Sequence, residues 1–188
     1  MKERILVTGG TGYIGSHTVV ELQNSGYEVV IVDNLSNSRA DVVDHIEQIT
    51  GIRPAFEHVD CLDYEGMDAV FKKYPGIKGV IHFAASKAVG ESVQKPLLYY
   101  RNNLVSLINL LELMPKHNVG GIIFSSSCTV YGQPDVLPVT EAAPIKKAES
   151  PYGNTKQVNE EIVRDTIASG APINAILLRY FNPIGAHP

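Results

Sequence analysis

A glycine-rich turn near the beginning of the chain constrains its fold more than any other stretch. The apolar run at 4–8 is typical of a buried strand, and Gly9, Gly12 and Gly15 follow it directly. Apolar residues at helical spacing come next, so the glycines lie between a strand and a helix. Gly9 permits a tight turn, Gly12 lets the backbone approach a phosphate, and Gly15 lets the helix pack on the strand.

A carboxylate at the end of the second apolar run strengthens this interpretation. The run at 29–33 ends in Asp33, at the distance from Gly15 where a dinucleotide fold places a carboxylate for the adenosine ribose. The alternative is a glycine turn between any strand and any helix. The flanking strand, the helix and Asp33 together favour a dinucleotide. Because Asp33 would repel a 2′-phosphate, NAD is favoured over NADP.

Strand-like apolar runs alternate with segments of helical periodicity along the whole chain. The runs lie at 4–8, 29–33, 55–59, 79–84, 121–126 and 174–180. This alternation predicts an α/β fold, a doubly wound parallel sheet of the Rossmann NAD-binding type with helices on both faces. Ligands of such a sheet lie beyond the carboxyl ends of its strands. We expect residues 1–180 to form this NAD-binding domain.

Composition argues against several classes of partner. The net charge is −4 without a basic cluster, which disfavours a nucleic-acid or membrane surface. No apolar run approaches membrane-spanning length. Cys61 and Cys128 form neither a disulfide framework nor a metal-binding spacing, so no metal site is expected. The first strand follows Met1 too closely for a signal peptide, which gives the expectation of a cytoplasmic protein.

Polar residues follow the third and fourth strands. Asp60 could accept a hydrogen bond from an adenine amino group, or Asp60 or Asp63 could cap a helix; both interpretations stay open. Small residues after the fourth strand would let the backbone lie against a cofactor. Lys87 could supply positive charge to a phosphate or ribose, although by itself it is typical of a solvated loop lysine. His82, within an apolar run, is expected to be structural.

A long helix is predicted over 96–114, because Pro96 suits a first helical turn and many leucines follow it. Asn102 and Asn103 are poor helix-interior residues, so either they contact the cofactor loop or they face solvent. The apolar surface is large enough to cover the sheet and leave a stripe for a partner helix. We therefore expect a homodimer through this helix, with complete burial against one sheet face as the alternative.

The fifth strand and the helix after it carry the candidate catalytic groups. Three serines, Ser125 to Ser127, end a buried strand, and a hydroxyl cluster there favours a site over packing. Tyr152 and Lys156 are spaced i, i+4, which puts them on one helical face. A nearby ammonium lowers the pKa of a phenol and makes it a usable base. A surface Tyr–Lys pair is the alternative, but the glycine turn and the serines favour catalysis.

Seven segments resemble the extended short-chain dehydrogenase/reductase superfamily and, within it, the UDP-glucose 4-epimerase family. They are TGGTGYIGSH at 8–17, DNLSN at 33–37, HFAASKAVGES at 82–92, YYRNN at 99–103, SSSCTVYGQP at 125–134, SPYGNTK at 150–156 and LRYFNPIGAHP at 178–188. The glycine turn and the Tyr-x-x-x-Lys pattern belong to the whole superfamily. KAVGES and RYFNPIGAHP are much more specific to the epimerases. Related 4,6-dehydratases carry Thr-Asp-Glu where this chain has Ser127-Cys128-Thr129, which disfavours dehydration.

The resemblance implies a role for each residue singled out above. Tyr152 is implied as the base at the sugar 4-hydroxyl, Ser127 as the hydroxyl that binds there and helps pass the proton, and Lys156 as a ribose ligand that lowers the Tyr152 pKa. The implied cofactor is NAD, and its implied contacts are Gly9, Gly12, Tyr13, Ile14, Gly15, Asp33, Asn34, Ser38, Asp60, Cys61, Phe83, Ala84, Lys87, Asn103, Tyr152, Lys156 and Tyr180. The implied substrate is a UDP-sugar, and its implied contacts are Lys87, Ser127, Tyr152, Phe181 and Asn182.

The implied activity is interconversion of UDP-glucose and UDP-galactose by transient oxidation at sugar C4. One alternative is another NAD-dependent sugar-nucleotide epimerase, acting on a UDP-hexuronate or a UDP-N-acetylhexosamine. The other is a non-catalytic NAD-binding module, although such a module needs no base. Family members continue into a C-terminal substrate domain, and residues 181–188 are expected to be its beginning. The activity is therefore implied for a protein that includes that domain.

Overall fold

A six-stranded parallel sheet organises the chain. The computed structural model describes residues 2–187. The strands are β1 (Arg4–Thr8), β2 (Glu28–Asp33), β3 (Ala55–His58), β4 (Ile77–His82), β5 (Gly121–Ser127) and β6 (Asn174–Tyr180). The helices are α1 (Tyr13–Asn24), α2 (Val42–Thr50), α3 (Tyr64–Lys73), α4 (Val89–Gln94), α5 (Pro96–Lys116) and α6 (Pro151–Ala168), and a 3₁₀ turn covers Cys128–Tyr131.

The strand order confirms the predicted doubly wound fold. The sheet runs β3-β2-β1-β4-β5-β6, and every neighbouring pair is parallel. The chain builds outward from β1 to β3 and then crosses back to place β4 on the other side of β1. The point between β1 and β4 is where such folds open a crevice for a ligand.

Alternating side chains of the strands supply two apolar layers, one on each face of the sheet. Leu6 and Val30 belong to the cluster that packs against α3, α5 and α6, whereas Val7 and Ile31 belong to the cluster under α1 and α2. All four side chains are fully buried. Burial on both faces is the reason these strands read as continuous apolar runs.

The bounds of β4 differ most from the prediction of 79–84. The strand begins at Ile77, which pairs with Arg4 before a register shift. Lys78 is exposed and interrupts the apolar pattern, so the pattern hides the first two residues. The strand ends at His82, although the Phe83 amide still donates to the Thr8 carbonyl at 3.0 Å.

Helix α5 runs two residues past the predicted end and keeps one apolar stripe exposed. Leu107, Leu110 and Leu113 are fully buried against the sheet. On the opposite side Leu97 and Leu98 are 81% and 49% exposed. One sheet face therefore does not bury all the apolar surface of this helix. Complete burial was the alternative to the expected homodimer.

Residues 181–187 follow β6 without helix or strand. The predicted boundary at residue 180 thus coincides with the last residue of the sheet. Met1 and Pro188, the outer limits of the predicted ranges 1–180 and 181–188, lie outside the described residues.

Candidate active site

A cleft of about 480 Å³ opens at the carboxyl ends of the strands, on both sides of the switch point. Its size is in the range of ordinary ligand pockets. The residues predicted from the sequence that line it are Gly9, Gly12, Tyr13, Ile14, Gly15, Asp33, Asn34, Asp60, Cys61, Phe83, Ala84, Lys87, Ser127, Tyr152, Lys156, Tyr180, Phe181 and Asn182. The structure therefore brings together residues that are up to 173 positions apart in the sequence.

The glycine turn forms a cradle that side chains would fill. A Cβ atom at Gly9, whose φ is +69°, would lie 2.7 Å from the Ala84 nitrogen, and one at Gly15 would lie 2.2 Å from the Gly9 oxygen. Gly12 is the N-cap of α1, and no side chain caps the helix there. The open backbone at a helix N-terminus fits the pyrophosphate of a dinucleotide.

Asp33 is held at the end of β2 with its carboxylate against the glycine turn. Its Oδ2 accepts a hydrogen bond from the Thr11 amide at 3.2 Å, and its Oδ1 accepts bonds from the Leu35 amide at 2.9 Å and from Ser38 Oγ at 3.1 Å. Ser38 does not line the cleft, and its Oγ also lies 2.7 Å from Thr11 Oγ1 in the glycine turn. This placement suits a carboxylate that receives ribose hydroxyls, with Ser38 fixing its orientation.

The two acidic residues after β3, Asp60 and Asp63, have different positions in the structure. Asp63 caps α3 by accepting a hydrogen bond from the Gly66 amide at 3.0 Å. Asp60 instead lines the cleft and accepts a bond from Asn34 Nδ2 at 2.9 Å. Burial raises the pKa of the neighbouring Cys61 thiol to about 12, which makes this thiol unreactive at neutral pH.

Asn103 organises the loop after β4 from beneath and does not line the cleft. Its Oδ1 accepts a hydrogen bond from the Ser86 amide at 2.8 Å, and its Nδ2 donates to the Ser86 carbonyl at 3.0 Å and to Thr155 Oγ1 at 3.1 Å. The neighbouring Asn102, which was not among the predicted site residues, does line the cleft and donates to Ser86 Oγ at 3.1 Å. Asn102 and Asn103 therefore contact the loop after β4, as one of the two interpretations predicted, and do not simply face solvent.

Ser127, Tyr152 and Lys156 lie together where β5 meets the start of α6. Ser150 caps that helix by accepting a hydrogen bond from the Gly153 amide at 3.1 Å. The Lys156 side chain is buried, and its Nζ donates to the Ser125 carbonyl at 2.7 Å. Burial lowers the pKa of Lys156 to about 8.

The expected lowering of the Tyr152 pKa by Lys156 is not found. Burial raises the pKa of Tyr152, a hydrogen bond with the Ser127 side chain lowers it by a smaller amount, and Cys128 raises it further. The Lys156 ammonium points to the Ser125 carbonyl and lies 5.8 Å from the centre of the Tyr152 ring. Desolvation therefore dominates the Tyr152 pKa, and Lys156 is not among the groups that shift it.

His82 is structural, as the sequence indicated. Its ring is buried, with Nδ1 2.7 Å from Thr8 Oγ1 on the neighbouring strand. Burial, together with the charge of Lys156, lowers the pKa of His82 to about 3. The ring is therefore neutral at physiological pH.

Sequence reasoning missed one buried acid behind the site. Glu160 is 1% exposed and accepts a hydrogen bond from Ser126 Oγ at 2.6 Å. It also pairs with Arg179 of β6 at 2.8 Å. The available signal was its position one helical turn after Lys156, on the same face of α6.

The segment after β6 reaches across the cleft. Phe181, Asn182 and Pro183 line it, and the Gly185 carbonyl accepts a hydrogen bond from the Tyr13 hydroxyl at 2.5 Å. The predicted substrate residues therefore lie at the same opening as the predicted cofactor residues.

Two properties follow from the described residues 2–187. Over that range, no three histidine, cysteine or acidic side chains are grouped so that they could hold a metal ion. Over the same range, each helix is too short or too polar to span a bilayer.

A Rossmann sheet with a glycine cradle, and with a Ser–Tyr–Lys group at the carboxyl ends of its strands, is the architecture of a dinucleotide-binding protein of the short-chain dehydrogenase/reductase type. The chain belongs to the NAD dependent epimerase/dehydratase family, whose model matches residues 5–188. The description of this family confirms, at the level of the family, the NAD that Asp33 predicted.

Relatives within this family narrow the similarity further. The chain is 53% identical over 186 residues to UDP-glucose 4-epimerase from Dictyostelium discoideum, with 99% of this chain and 54% of the relative covered. It is 54% identical to UDP-glucose 4-epimerase from Bacillus subtilis, with coverage of 98% and 54%. The chain therefore spans about half the length of the curated relatives that it matches.

A solved structure shows the same architecture. UDP-glucose 4-epimerase from Bifidobacterium longum, in complex with NAD+ and UDP, superposes with a TM-score of 0.95 at 50% identity. The superposition covers 98% of this chain and 55% of that structure. Over nearly all of this chain, the fold described above thus matches part of a structurally characterised epimerase.

Proposed function

We propose that this chain carries the NAD site and the catalytic groups of an epimerase that interconverts UDP-glucose and UDP-galactose. One observation supports this above all others. Ser127, Tyr152 and Lys156 converge in the same cleft as the glycine cradle. The similarity to UDP-glucose 4-epimerases gives the substrate, since a cleft with these groups alone would suit several sugar nucleotides.

The residues present fit NAD along the length of the cleft. Asp33 and Asn34 would hold the adenosine ribose, the glycine turn the pyrophosphate, and Lys156 with Tyr180 the nicotinamide end. When bound, NAD supplies a hydride acceptor at sugar C4 and returns the hydride afterwards.

The chain's own task is to move a proton at the sugar 4-hydroxyl. Tyr152 would accept that proton, and the Ser127 hydroxyl would hold the sugar oxygen and relay the proton. Because burial raises the Tyr152 pKa, the phenol is protonated at neutral pH and needs a nearby positive charge to act as a base. Lys156 lies on the same face of α6, with its Nζ 5.8 Å from the centre of the Tyr152 ring, but its charge alone does not lower the Tyr152 pKa here.

The UDP-sugar would enter at the mouth of the cleft. Lys87, Phe181 and Asn182 are exposed residues of the cleft lining and would meet the substrate. Asn182 would contact the pyrophosphate. These residues hold only part of such a ligand, which agrees with a chain that spans about half of its relatives' length.

The assay that tests the proposal is conversion of UDP-galactose to UDP-glucose by the protein that contains this chain. Tyr152→Phe is expected to lower turnover about 10²–10⁴-fold, the usual contribution of a positioned acid–base group. Tyr27→Phe, immediately before β2 and outside the cleft lining, is the matched control and should leave turnover unchanged. Equal rates for both variants would remove Tyr152 from the mechanism. Conversion of a UDP-hexuronate or UDP-N-acetylhexosamine in place of UDP-galactose would support the other epimerase class.

We also propose a homodimer through α5. The exposed stripe of Leu97, Leu98, Val105 and Ile108 lies on the side of the helix that faces away from the sheet. Leu98→Glu should convert a dimer to a monomer in light scattering at micromolar concentration. Ile49→Glu, an exposed isoleucine of α2, should not. Monomer in the unaltered protein would contradict the proposal.

A further inference from the structure

Glu160 is a buried carboxylate that joins three elements without lining the cleft. It accepts hydrogen bonds from Ser126 Oγ of β5 at 2.6 Å, from Arg179 Nε and Nη2 of β6 at 2.9 and 2.8 Å, and from Arg164 of its own helix at 2.7 Å. Its side chain is 1% exposed. A carboxylate this deeply buried is tolerated only when such bonds satisfy its oxygens.

Two of the three partners of Glu160 are adjacent in sequence to a residue of the site. Ser126 precedes Ser127, and Arg179 precedes Tyr180. The register of the sheet pairs Ser126 with Arg179 and Ser127 with Tyr180, so the two neighbours stand side by side as well. Glu160 itself follows Lys156 by one helical turn.

Helix α6 therefore forms hydrogen bonds with two successive residues at the end of β5. Lys156 donates to the Ser125 carbonyl at 2.7 Å, and one turn later Glu160 accepts from the Ser126 hydroxyl. The same Arg179 that pairs with Glu160 lies 4.8 Å above the ring of Tyr131, in the 3₁₀ turn that Ser127 caps. Both ends of the short segment around Ser127 are thus fixed relative to α6.

The charge on Glu160 is maintained in spite of its burial. Burial alone would raise its pKa, but the hydrogen bonds from Arg179 and Ser126 and the charge of Arg179 lower it below its usual value. A buried ion pair adds little net stability compared with apolar packing, but it specifies one geometry. In this chain the specified geometry is that of the candidate catalytic groups.

We propose that Glu160 is a positioning residue that holds Ser127 and Tyr180 in place against Tyr152 and Lys156. This inference rests on the proposed function for its catalytic consequence. A displacement of about 1 Å in a catalytic group can lower turnover about 10²-fold. Glu160 would act only through its neighbours, since it does not reach the cleft itself.

The matched variants are Glu160→Gln and Glu161→Gln. Both remove one negative charge from the same helix, but Glu161 is exposed. Ser126→Ala is the milder third variant, because it removes the link to β5 and leaves the ion pairs of Glu160 intact. It decides the question if Glu160→Gln fails to fold.

The first measurement is turnover of UDP-galactose by the NAD-loaded protein. Glu160→Gln is expected to lower kcat about 10²-fold with KM unchanged, because positioning acts in the transition state. Ser126→Ala should lower kcat in the same direction by less, and Glu161→Gln should leave it unchanged.

The second measurement is independent of activity. The phenol of Tyr152 can be titrated by NMR of ring-labelled tyrosine and assigned with Tyr152→Phe. The hydrogen bond with Ser127 lowers the Tyr152 pKa, so displacement of Ser127 should raise that pKa. Loss of a negative charge would by itself lower it. An upward shift in Glu160→Gln and in Ser126→Ala therefore reports displacement and excludes a simple charge effect.

The outcomes separate the two proposals. If Glu160→Gln and Ser126→Ala match Glu161→Gln in kcat and in the Tyr152 titration, Glu160 is only structural and the inference is overturned. A downward shift of the Tyr152 pKa in Glu160→Gln would also overturn it. If the unaltered protein does not convert UDP-galactose but the upward shift is found, the proposed function fails while the positioning by Glu160 stands.

Discussion

Lys156 donates a hydrogen bond to the backbone carbonyl of Ser125 at 2.7 Å, inside a buried site. Its ammonium also lies 4.8 Å from the centre of the Phe124 ring. A carbonyl dipole and an aromatic face replace only part of the water that a cation loses on burial. The site thus holds a charge whose burial opposes folding.

Replacing Lys156 should therefore stabilise the fold. The pKa of this lysine is lowered from 10.5 to about 8, so the unfolded chain binds more protons than the folded chain between these pH values, and stability rises with pH across that window. At about 1.4 kcal/mol per pH unit, the charged lysine disfavours the fold by roughly 3 kcal/mol below pH 8. In urea unfolding, Lys156→Met should be more stable by up to about this amount at pH 7, with the difference gone near pH 10.5. The exposed Lys147→Met is the control, and a less stable Lys156→Met would contradict the prediction.

His82 should make the fold sensitive to acid. Its pKa is lowered from 6.5 to about 3, so the unfolded chain binds the extra proton between these values and stability falls as the pH drops from 6.5 toward 3. The full effect is about 5 kcal/mol. His82→Asn, which can keep a bond to Thr8, should flatten this part of the pH profile in thermal unfolding. The exposed His45→Asn should leave the profile steep; an equally steep profile in His82→Asn would assign the acid sensitivity elsewhere.

Gly15→Ala should disrupt the cradle. The added Cβ would lie 2.2 Å from the Gly9 oxygen, so the turn or the helix must move. We expect a loss of about 1–3 kcal/mol in stability, typical of overpacking, and weaker NAD binding in calorimetric titration. Gly120→Ala, where the nearest atom lies at 3.6 Å, should affect neither measurement. Unchanged NAD affinity in Gly15→Ala would show that the turn does not hold the cofactor.

Asn103→Ala should loosen the loop after β4. The substitution leaves the half-buried Ser86 amide and carbonyl without these partners, which costs about 1–3 kcal/mol at most. Hydrogen exchange of the Ser86 amide should become faster, and NAD affinity should fall, although Asn103 does not touch the cleft. The exposed Asn24→Ala is the control. Slow exchange retained in Asn103→Ala would mean that the loop is held by other contacts.

The sheet and the position of the cleft were predictable from the sequence because both depend on local patterns. All six strands were found within two residues at each end, since strands buried on both faces appear as apolar runs bounded by polar residues. The glycine turn identified the switch point, because its steric requirements exclude other residues.

The sequence did not predict which pairs of polar residues are in contact. Ser38 and Asn103, which were predicted as cofactor contacts, bind Asp33 and the Ser86 amide in the structure, and no spacing in the sequence indicated these bonds. The spacing of Tyr152 and Lys156 predicted a shared helix face but not the competing carbonyl of Ser125. Such choices depend on atoms brought together from distant parts of the chain, and a one-dimensional pattern does not contain them.

The last three residues of β5 are all serine, but each of them has a different partner in the fold. The Ser125 carbonyl accepts a hydrogen bond from Lys156, the Ser126 hydroxyl donates one to Glu160, and the Ser127 side chain lowers the pKa of Tyr152. The role of each serine depends on its position in the strand and not on its side chain alone. The same replacement by alanine would therefore have a different effect at each of the three positions. A shift of the strand by one residue would keep a serine at two of these three places and would still break all three contacts.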